Sequence, residues 1–390
     1  MKAIKRIVGN EYASDSEQNL LAYSYDGSQL EQKPELVCWP KSIDEIRKII
    51  LHCNQTHTPL IPRGAGTNLA GSAIGEKAVI MDMTRMNKIL KLDIKNKTVT
   101  VEPGVVLANL NTFLKEHSLT FPIIPSSQQV CTIGGMIATN ASSSRSLALG
   151  RMDNWIVDLE LFDGTGKFYD SKPLKVAGTE GTTAIVTKAT LKVTDPIIDT
   201  TLELQEFSNP TELFAVADDL KNENGILSVE FFDKAISAML GLPEKYHLLA
   251  EYSTREGKIK TFARVKALLD MRTAIDALFS SKGYIYREDP WVPSNKLYDL
   301  VEWCENNKVP CFGHVAMGVL HTMFLPDQKE LRKELYELIT TLGGRHSGQY
   351  GYGLLKKGYA PAELKTKIIK LKDVYDYNNI LNRGKIFDYR

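Results

Sequence analysis

Charge of one sign is missing from this chain: 48 Lys and Arg stand against 47 Asp and Glu, leaving a formal net charge of +1. It has no basic excess or basic stripe of the kind that meets a polynucleotide or an anionic membrane, so no nucleic-acid partner is expected. Cysteine is scarce and unpatterned. Cys38, Cys53, Cys131, Cys304 and Cys311 form no C-x-x-C pair, which argues against a disulfide framework and against a cysteine-only zinc or iron–sulfur site. No stretch approaches the ~20 apolar residues of a transmembrane helix. The basic start Met1-Lys2-Ala3-Ile4-Lys5-Arg6 lacks the apolar run of a secretory signal, so a cytoplasmic location is expected. Internal repeats and low-complexity tracts are absent too.

What remains is ordinary globular composition, 43% apolar and 24% charged over 390 residues, enough for two or three domains. Ser42-Ile43-Asp44-Glu45 has capping-box form and opens a helical face of Ile43, Ile46, Ile49, Ile50 and Cys53. Val79-Ile80-Met81, Thr98 to Val101, Ile156 to Phe162 and Ala184 to Val193 read as strands. Pro103-Gly104 precedes a second helix carrying Leu107, Leu110, Phe113 and Leu114. Texture changes near Asp195-Pro196. Beyond it, helices are expected around Lys258 to Phe279 and from Gln328 to Leu342. The fold class is therefore α+β, in two domains joined near residue 196.

Three glycine-rich segments stand out. Arg63-Gly64-Ala65-Gly66-Thr67-Asn68-Leu69-Ala70-Gly71 follows a strand signal, but Leu69 stands where a dinucleotide fingerprint needs its third glycine. Such a loop is either a tight connection or an anion cradle, because glycine allows backbone N–H groups to converge. Pro125 leads to a second loop-like segment, Cys131-Thr132-Ile133-Gly134-Gly135-Met136-Ile137-Ala138-Thr139-Asn140, small and polar where a core segment would be larger. The third is Gly178-Thr179-Glu180-Gly181-Thr182-Thr183-Ala184-Ile185-Val186.

In this order and spacing the three segments resemble the FAD-binding domain of the vanillyl-alcohol-oxidase/PCMH flavoprotein superfamily, from about Pro34 to Val193. The resemblance implies a PCMH-type FAD-binding domain over 1–195 and an α+β cap domain with an antiparallel sheet over 196–345. A segment over 346–390 would return to the flavin. By the same resemblance, Arg63, Gly64, Ala65, Gly66, Thr67, Asn68 and Leu69 would form the pyrophosphate loop. Pro125, Thr132, Gly134, Gly135 and Asn140 would line the flavin, with Glu180, Gly181, Ile185 and Val186 against the adenosine and flavin backbone. The nearest histidine to the first loop is His57, so FAD is expected to be non-covalent.

The second half resembles the D-lactate, glycolate and D-2-hydroxyglutarate dehydrogenase branch of that superfamily. Ser228-Val229-Glu230-Phe231-Phe232-Asp233 is similar to its E-F-x-D strand, and Gly313-His314-Val315-Ala316-Met317-Gly318-Val319-Leu320-His321 to its G-H-x-G-D-G-N-x-H motif. Ser347-Gly348-Gln349-Tyr350-Gly351 resembles S-G-E-H-G, and Ile380-Leu381-Asn382-Arg383-Gly384-Lys385 resembles the terminal I-L-N-P-G-K, placing Asn382 and Lys385 at the flavin. The resemblance implies oxidation of a small hydroxy acid or related alcohol, with electrons passed on to an acceptor that the sequence does not identify.

In that family two histidines and one Glu hold a divalent metal, and a neighbouring His is the base. Here His314 and His321 are kept. If Met317-Gly318 is a two-residue hairpin turn, they stand directly opposite each other, with Cβ atoms about 5 Å apart. Gln349 replaces the Glu, Tyr350 the His base, Met317 the Asp and Val319 the Asn. A neutral ligand set argues against a divalent metal. Tyr350, with an ordinary pKa of ~10, is a poor base, leaving His346 as a candidate and Arg345 as a candidate for a substrate carboxylate.

Overall fold

Strand pairing in the computed structural model, which describes residues 2–170, 175–253 and 262–389, sorts the chain into two units. The first gathers Met1–Ala141, Arg151–Pro196 and Tyr350–Arg390; the second gathers Ser142–Gly150 and Ile197–Gln349. The chain therefore enters the second unit for a short segment well before its main crossing near residue 196.

The first unit holds β1 (Ala13–Ser14), β2 (Leu36–Cys38), β3 (Leu60–Arg63) and β4 (Val79–Asp82) in the order β1-β2-β4-β3, with β2, β4 and β3 parallel. Both faces of this sheet are covered, which is why β4 is a run of four buried residues rather than an alternation. Leu36, Val79 and Met81 pack with Ile46, Ile49, Ile50 and Cys53 of the helix Ile43–Thr56. Val37, Ile61 and Ile80 pack with Leu20 on the other side. Ser42 caps that helix by accepting the Glu45 N–H at 3.2 Å, and the Glu45 carboxylate accepts the Lys41 N–H at 2.7 Å, one residue short of a reciprocal box.

A second, antiparallel sheet of the same unit has β5 (Ile89–Asp93), β6 (Thr98–Val101), β7 (Ile156–Phe162), β8 (Phe168–Tyr169) and β9 (Ile185–Lys192) in the order β5-β6-β9-β7-β8. The last residues of the chain are tied to β3: Leu381 bridges Leu60, and the Leu60 N–H donates to the Ile380 carbonyl at 2.8 Å. A buried ion pair fixes that return. Lys372 Nζ donates to Asp376 Oδ2 and Asn379 Oδ1, each at 2.7 Å, while the N–H groups of Ile380 and Leu381 donate to the same Asp376 carboxylate.

The segment expected to be a loop at Thr132–Asn140 is instead a helix, Ile133–Thr139. Two adjacent glycines lower helix propensity. Context overrides them: Thr132 caps the start, Asn140 ends the helix at φ +49°, and Ile133, Met136 and Ile137 are buried.

The second unit is one antiparallel sheet of β10 (Thr200–Phe207), β11 (Ile226–Phe232), β12 (Tyr246–Ser253), β13 (Tyr286–Glu288), β14 (Cys311–His314) and β15 (Val319–Phe324), ordered β10-β12-β11-β14-β15-β13. Val229, Phe231, Leu248, Ala250, Leu320 and Phe324 pack on one face with the helices Pro210–Leu220, Leu297–Asn306 and Lys329–Thr341. Phe232, Leu249, Phe312 and Met323 point to the other face, where the helix Phe262–Ser281 lies. The start expected for that helix, Lys258 to Thr261, falls outside the described residues. Among the described residues no helix is long and apolar enough to cross a membrane.

Candidate functional site

The loop after β3 leaves its backbone donors unused. Among the described residues, no protein acceptor takes the N–H of any residue from Ala65 through Leu69. Asn68 sets the loop's shape. Its Oδ1 accepts from the N–H groups of Ala70 (2.8 Å) and Ser72 (2.9 Å), and its Nδ2 donates to the Tyr350 carbonyl (3.1 Å). Gly66 sits at φ +70°, and a Cβ there would overlap the Arg63 guanidinium, so only glycine fits. Arg63 is buried; its Nη1 donates to the Ala73 carbonyl at 3.1 Å, and its Nε–H has no partner. Burial pulls its pKa down, against the attraction of Asp26, Tyr23 and Asp82. Successive free amides beside a buried cation make an anion seat.

The helix Ile133–Thr139 adjoins this loop. A Cβ on Gly64 would overlap Thr132 Oγ1, the atom that accepts the Gly135 N–H at 3.3 Å. Gly134 lies against Pro103, whose Cβ would be 2.8 Å from an added methyl, whereas a methyl on Gly135 meets only Thr132 Oγ1, at 3.3 Å. A methyl at Gly135 would thus press on the hydroxyl that caps the helix, though on no other side chain. Asn140 is engaged within the protein: its Oδ1 accepts the Asp153 N–H at 2.9 Å and its carbonyl accepts Arg151 Nε at 3.0 Å. Half-buried Pro125 opens a turn, Ile185 lies in the core beside Phe162, and Val186 is half-buried opposite Leu161.

Glu180 braces the loop from below. Its buried carboxylate accepts from the Ser72 hydroxyl and from the N–H groups of Tyr352 (2.7 Å) and Gly353 (2.9 Å). Burial pushes its pKa up, against those three donors and the nearby Lys385 charge. Asn382 Nδ2 donates to the carbonyls of Glu180 (2.6 Å) and Ser72 (2.9 Å), and Gly181 lies close to Pro62. Lys385 is only 4% exposed, and among the described residues its amine has no hydrogen bond or ion pair. Burial brings its pKa down to about 8, against the attraction of Asp26 and Glu180. A pyrophosphate dianion would supply what these groups lack: acceptors for the loop amides and a charge for Arg63 and Lys385. The residues fit FAD.

In the second unit, His314 and His321 come together, but not as a two-residue turn would have placed them. Val315–Met317 form a single 3₁₀ turn and Gly318 takes φ +73°, so the loop has four residues and His314 pairs with Val319. His321 stands opposite Phe312, one step along the same face, and the two imidazoles meet edge to face with centroids 5.4 Å apart. Burial lowers the His314 pKa, against the pull of Glu230. Strand alternation puts Glu230 of β11 and Glu251 of β12 on this face as well.

Two arginines neutralise those carboxylates. Arg145, from the early segment Ser142–Gly150, donates to both Glu251 oxygens (2.7 and 3.1 Å). Arg272 reaches Glu230 (3.3 Å) and Glu251 (3.6 Å). Burial pushes the Glu251 pKa up, but Arg145 and Arg272 outweigh it and leave it lowered. Sequence reasoning missed Arg145, Arg272 and Glu251. The available signal was a charged residue inside an apolar strand, Leu248-Leu249-Ala250-Glu251-Tyr252, which burial permits only with a partner.

The other candidates are engaged in contacts of their own. His346 is buried, with Nε2 donating to the Tyr336 carbonyl at 2.9 Å and its ring edge-on to Tyr336. Arg345 is exposed and stacks on Trp291 at 5.1 Å. Tyr350 belongs to the first unit, where its carbonyl pins Asn68. Asp233 of the E-F-x-D segment is architectural: it caps the helix Lys234–Met239 and accepts the Cys311 N–H at 2.7 Å. Where the resembled family carries its Glu ligand this chain has the Gln349 amide, and Glu230 is held by Arg272. Among the described residues no three His, Cys, Asp or Glu side chains are grouped to hold a metal. Two imidazoles and an amide, with no anionic ligand, do not fit a divalent cation.

Comparison with known proteins decides the family. A model of the FAD binding domain matches residues 34–171, and one of the C-terminal domain of FAD linked oxidases matches residues 242–386. The chain belongs to the FAD-linked oxidases. It is 29% identical to the glycolate oxidase subunit GlcD of Bacillus subtilis, over 98% of this chain and 95% of that protein. It is 25% identical to a D-2-hydroxyglutarate dehydrogenase of Stutzerimonas stutzeri (95% and 94% covered) and 26% identical to a D-lactate dehydrogenase of Archaeoglobus fulgidus (90% and 91%). Among solved structures, an alkyldihydroxyacetonephosphate synthase shares the fold with a TM-score of 0.72 at 17% identity, covering 98% of this chain and 84% of that one. The expected PCMH-type FAD-binding domain followed by an antiparallel-sheet domain is the fold of this FAD-linked oxidase.

Proposed function

We propose that this FAD-linked oxidase removes a hydride from the carbinol carbon of a 2-hydroxy acid, or of a related alcohol, and holds FAD non-covalently. The observation that carries the reading is the paired His314 and His321 on a charged sheet face, in a chain whose other unit has an anion seat. Bound FAD supplies the hydride acceptor. The loop amides from Ala65 to Leu69, with Arg63 and Lys385, hold its pyrophosphate; Thr132 and Gly135 leave room for the flavin side; Glu180 and Asn382 keep the loop in shape. On the second unit, an imidazole of the pair takes the hydroxyl proton as the carbinol hydrogen leaves with its electron pair, so the alcohol becomes a carbonyl. Arg272, within electrostatic reach of His314, is suited to the substrate carboxylate. Electrons then pass to a separate acceptor, and the setting is cytoplasmic.

A second reading is a flavin-holding subunit with little catalysis of its own. Gln349 and Tyr350 in place of the family's Glu and His favour it, as does the description of one relative as an oxidase subunit. Anaerobic mixing with D-lactate, glycolate and D-2-hydroxyglutarate separates the two. Bleaching of the visible flavin band by one of them supports the enzyme; an oxidised spectrum with all three, in protein that holds FAD, supports the subunit.

A further inference from the structure

The buried polar atoms of the second unit without a hydrogen-bond partner include Ser143 Oγ, Thr322 Oγ1, His314 Nδ1 and Gln349 Nε2, and the last two belong to the segments singled out by the motif. A buried donor or acceptor left unmade costs free energy, and folded proteins seldom leave such atoms unpaired. A polar ligand at the histidine face would give the imidazole and the amide the partners they lack. Gln349 is also held in place more firmly than a surface glutamine. Its N–H donates to Asp289 Oδ2 at 2.6 Å, the Ser347 hydroxyl donates to the same oxygen at 2.9 Å, and the Gly348 N–H donates to the Asp289 carbonyl at 2.7 Å. Gly348 lies flat against Val319, where an added Cβ would be 2.7 Å from the valine methyl, and Val319 is the cross-strand partner of His314. The glutamine backbone is thus anchored one residue from a side chain that faces the histidine.

We infer that Gln349 is a substrate-binding residue whose amide N–H donates to an oxygen of the bound acid, so that the site works without a divalent cation. The inference rests on the proposed hydroxy-acid substrate and gives it a recognition chemistry. An amide can donate where a carboxylate can only accept, and the ligand here is itself an anion. Nearby charges do not do this job alone: Glu230 and Glu251 already balance Arg145 and Arg272. Met317 and Val319 offer the anion no donor side chain. Replacing Gln349 by Glu would place like charges together and supply the anionic ligand that a metal needs.

The test uses the FAD-loaded enzyme, dialysed against EDTA, with oxalate as a planar probe of the acid and calorimetry as the readout. Wild type is expected to bind oxalate equally well before and after EDTA. Gln349→Leu should bind it roughly 10- to 100-fold more weakly, the loss of one hydrogen bond to a charged group. Gln349→Glu should bind at least as weakly without metal and recover when manganese is added. Thermal melts and flavin content show whether each variant is folded, and Gln349→Met stands in if the leucine variant is not. Loss of oxalate binding after EDTA, failure of wild type to bind oxalate, or binding by the leucine or methionine variant within about twofold of wild type overturns the inference. Flavin reduction by hydroxy acids is scored separately: oxalate behaving as expected with no acid reducing the flavin counts against the proposed reaction and leaves Gln349 as an anion-binding residue.

Discussion

The cofactor cradle of the first unit and the histidine face of the second are built from different material. Around Gly66 the groups offered to a cofactor are backbone N–H groups, and side chains such as Asn68, Glu180 and Asn382 hold that backbone in place. On the histidine face the candidate groups are side chains carried by β11, β12, β14, β15 and the helix Phe262–Ser281, and the backbone is an ordinary antiparallel ladder. A backbone donor has no side chain to exchange, so such a site is altered through its shape. A side-chain site is altered one group at a time, and Gln349, Met317 and Val319 are such single changes relative to the family pattern. A family can therefore keep its cofactor while its substrate chemistry drifts.

Changes to loop shape should have the largest effect. Gly66→Val meets both a positive φ and the Arg63 guanidinium, and is expected to purify nearly free of flavin. Gly135→Ala meets only the Thr132 hydroxyl, at 3.3 Å, and should lose far less stability than Gly66→Val while still weakening FAD binding; flavin-to-protein ratios and melts of the two variants check this. Next comes Glu180→Ala, which strands the Ser72 hydroxyl and the amides of Tyr352 and Gly353. A loss of about 3–5 kcal/mol in urea unfolding is expected. A loss below about 1 kcal/mol would mean that the brace is dispensable.

Lys385 sharpens the contrast because stability and binding should move in opposite directions. Its folded-state pKa of about 8 lies below the usual 10.5, so in FAD-free protein the charged form is the costly one. That cost is full below pH 8 and fades as pH rises toward 10.5. Lys385→Met should therefore stabilise FAD-free protein by about 1–3 kcal/mol at pH 7, with the gain shrinking at higher pH, while weakening FAD binding. In wild type, FAD affinity should fall as pH rises past 8, and the variant should lack that slope. A variant that binds FAD as tightly as wild type would remove Lys385 from the cradle. The smallest effect belongs to Arg345→Ala, about 0.5–1 kcal/mol or less for an exposed stack on Trp291, with substrate affinity unchanged.

The same contrast explains what could be read in the sequence. Glycine spacing picked out the loop whose amides, from Ala65 to Leu69, have no protein acceptor among the described residues, because a shape requirement leaves a mark at fixed positions. It did not reveal the helix Ile133–Thr139, whose two glycines speak against a helix and whose cap and buried face make one. On the other unit, His314 and His321 were legible as a pair, but their register depends on whether the turn has two residues or four. Arg145 was out of reach, since nothing local says that Ser142–Gly150 leaves the first unit to meet Glu251. The buried Lys372–Asp376 pair was also hidden, because such spacing on a helix usually marks a solvated pair.

The division of labour itself is tested by a double variant, His314→Ala with His321→Ala, mixed anaerobically with the best acid of the panel in a stopped-flow instrument. The account predicts a yellow protein with wild-type FAD affinity whose flavin is reduced roughly 100-fold or more slowly, the contribution of a positioned proton acceptor. Reduction at the wild-type rate, or loss of the flavin together with the histidines, would contradict it.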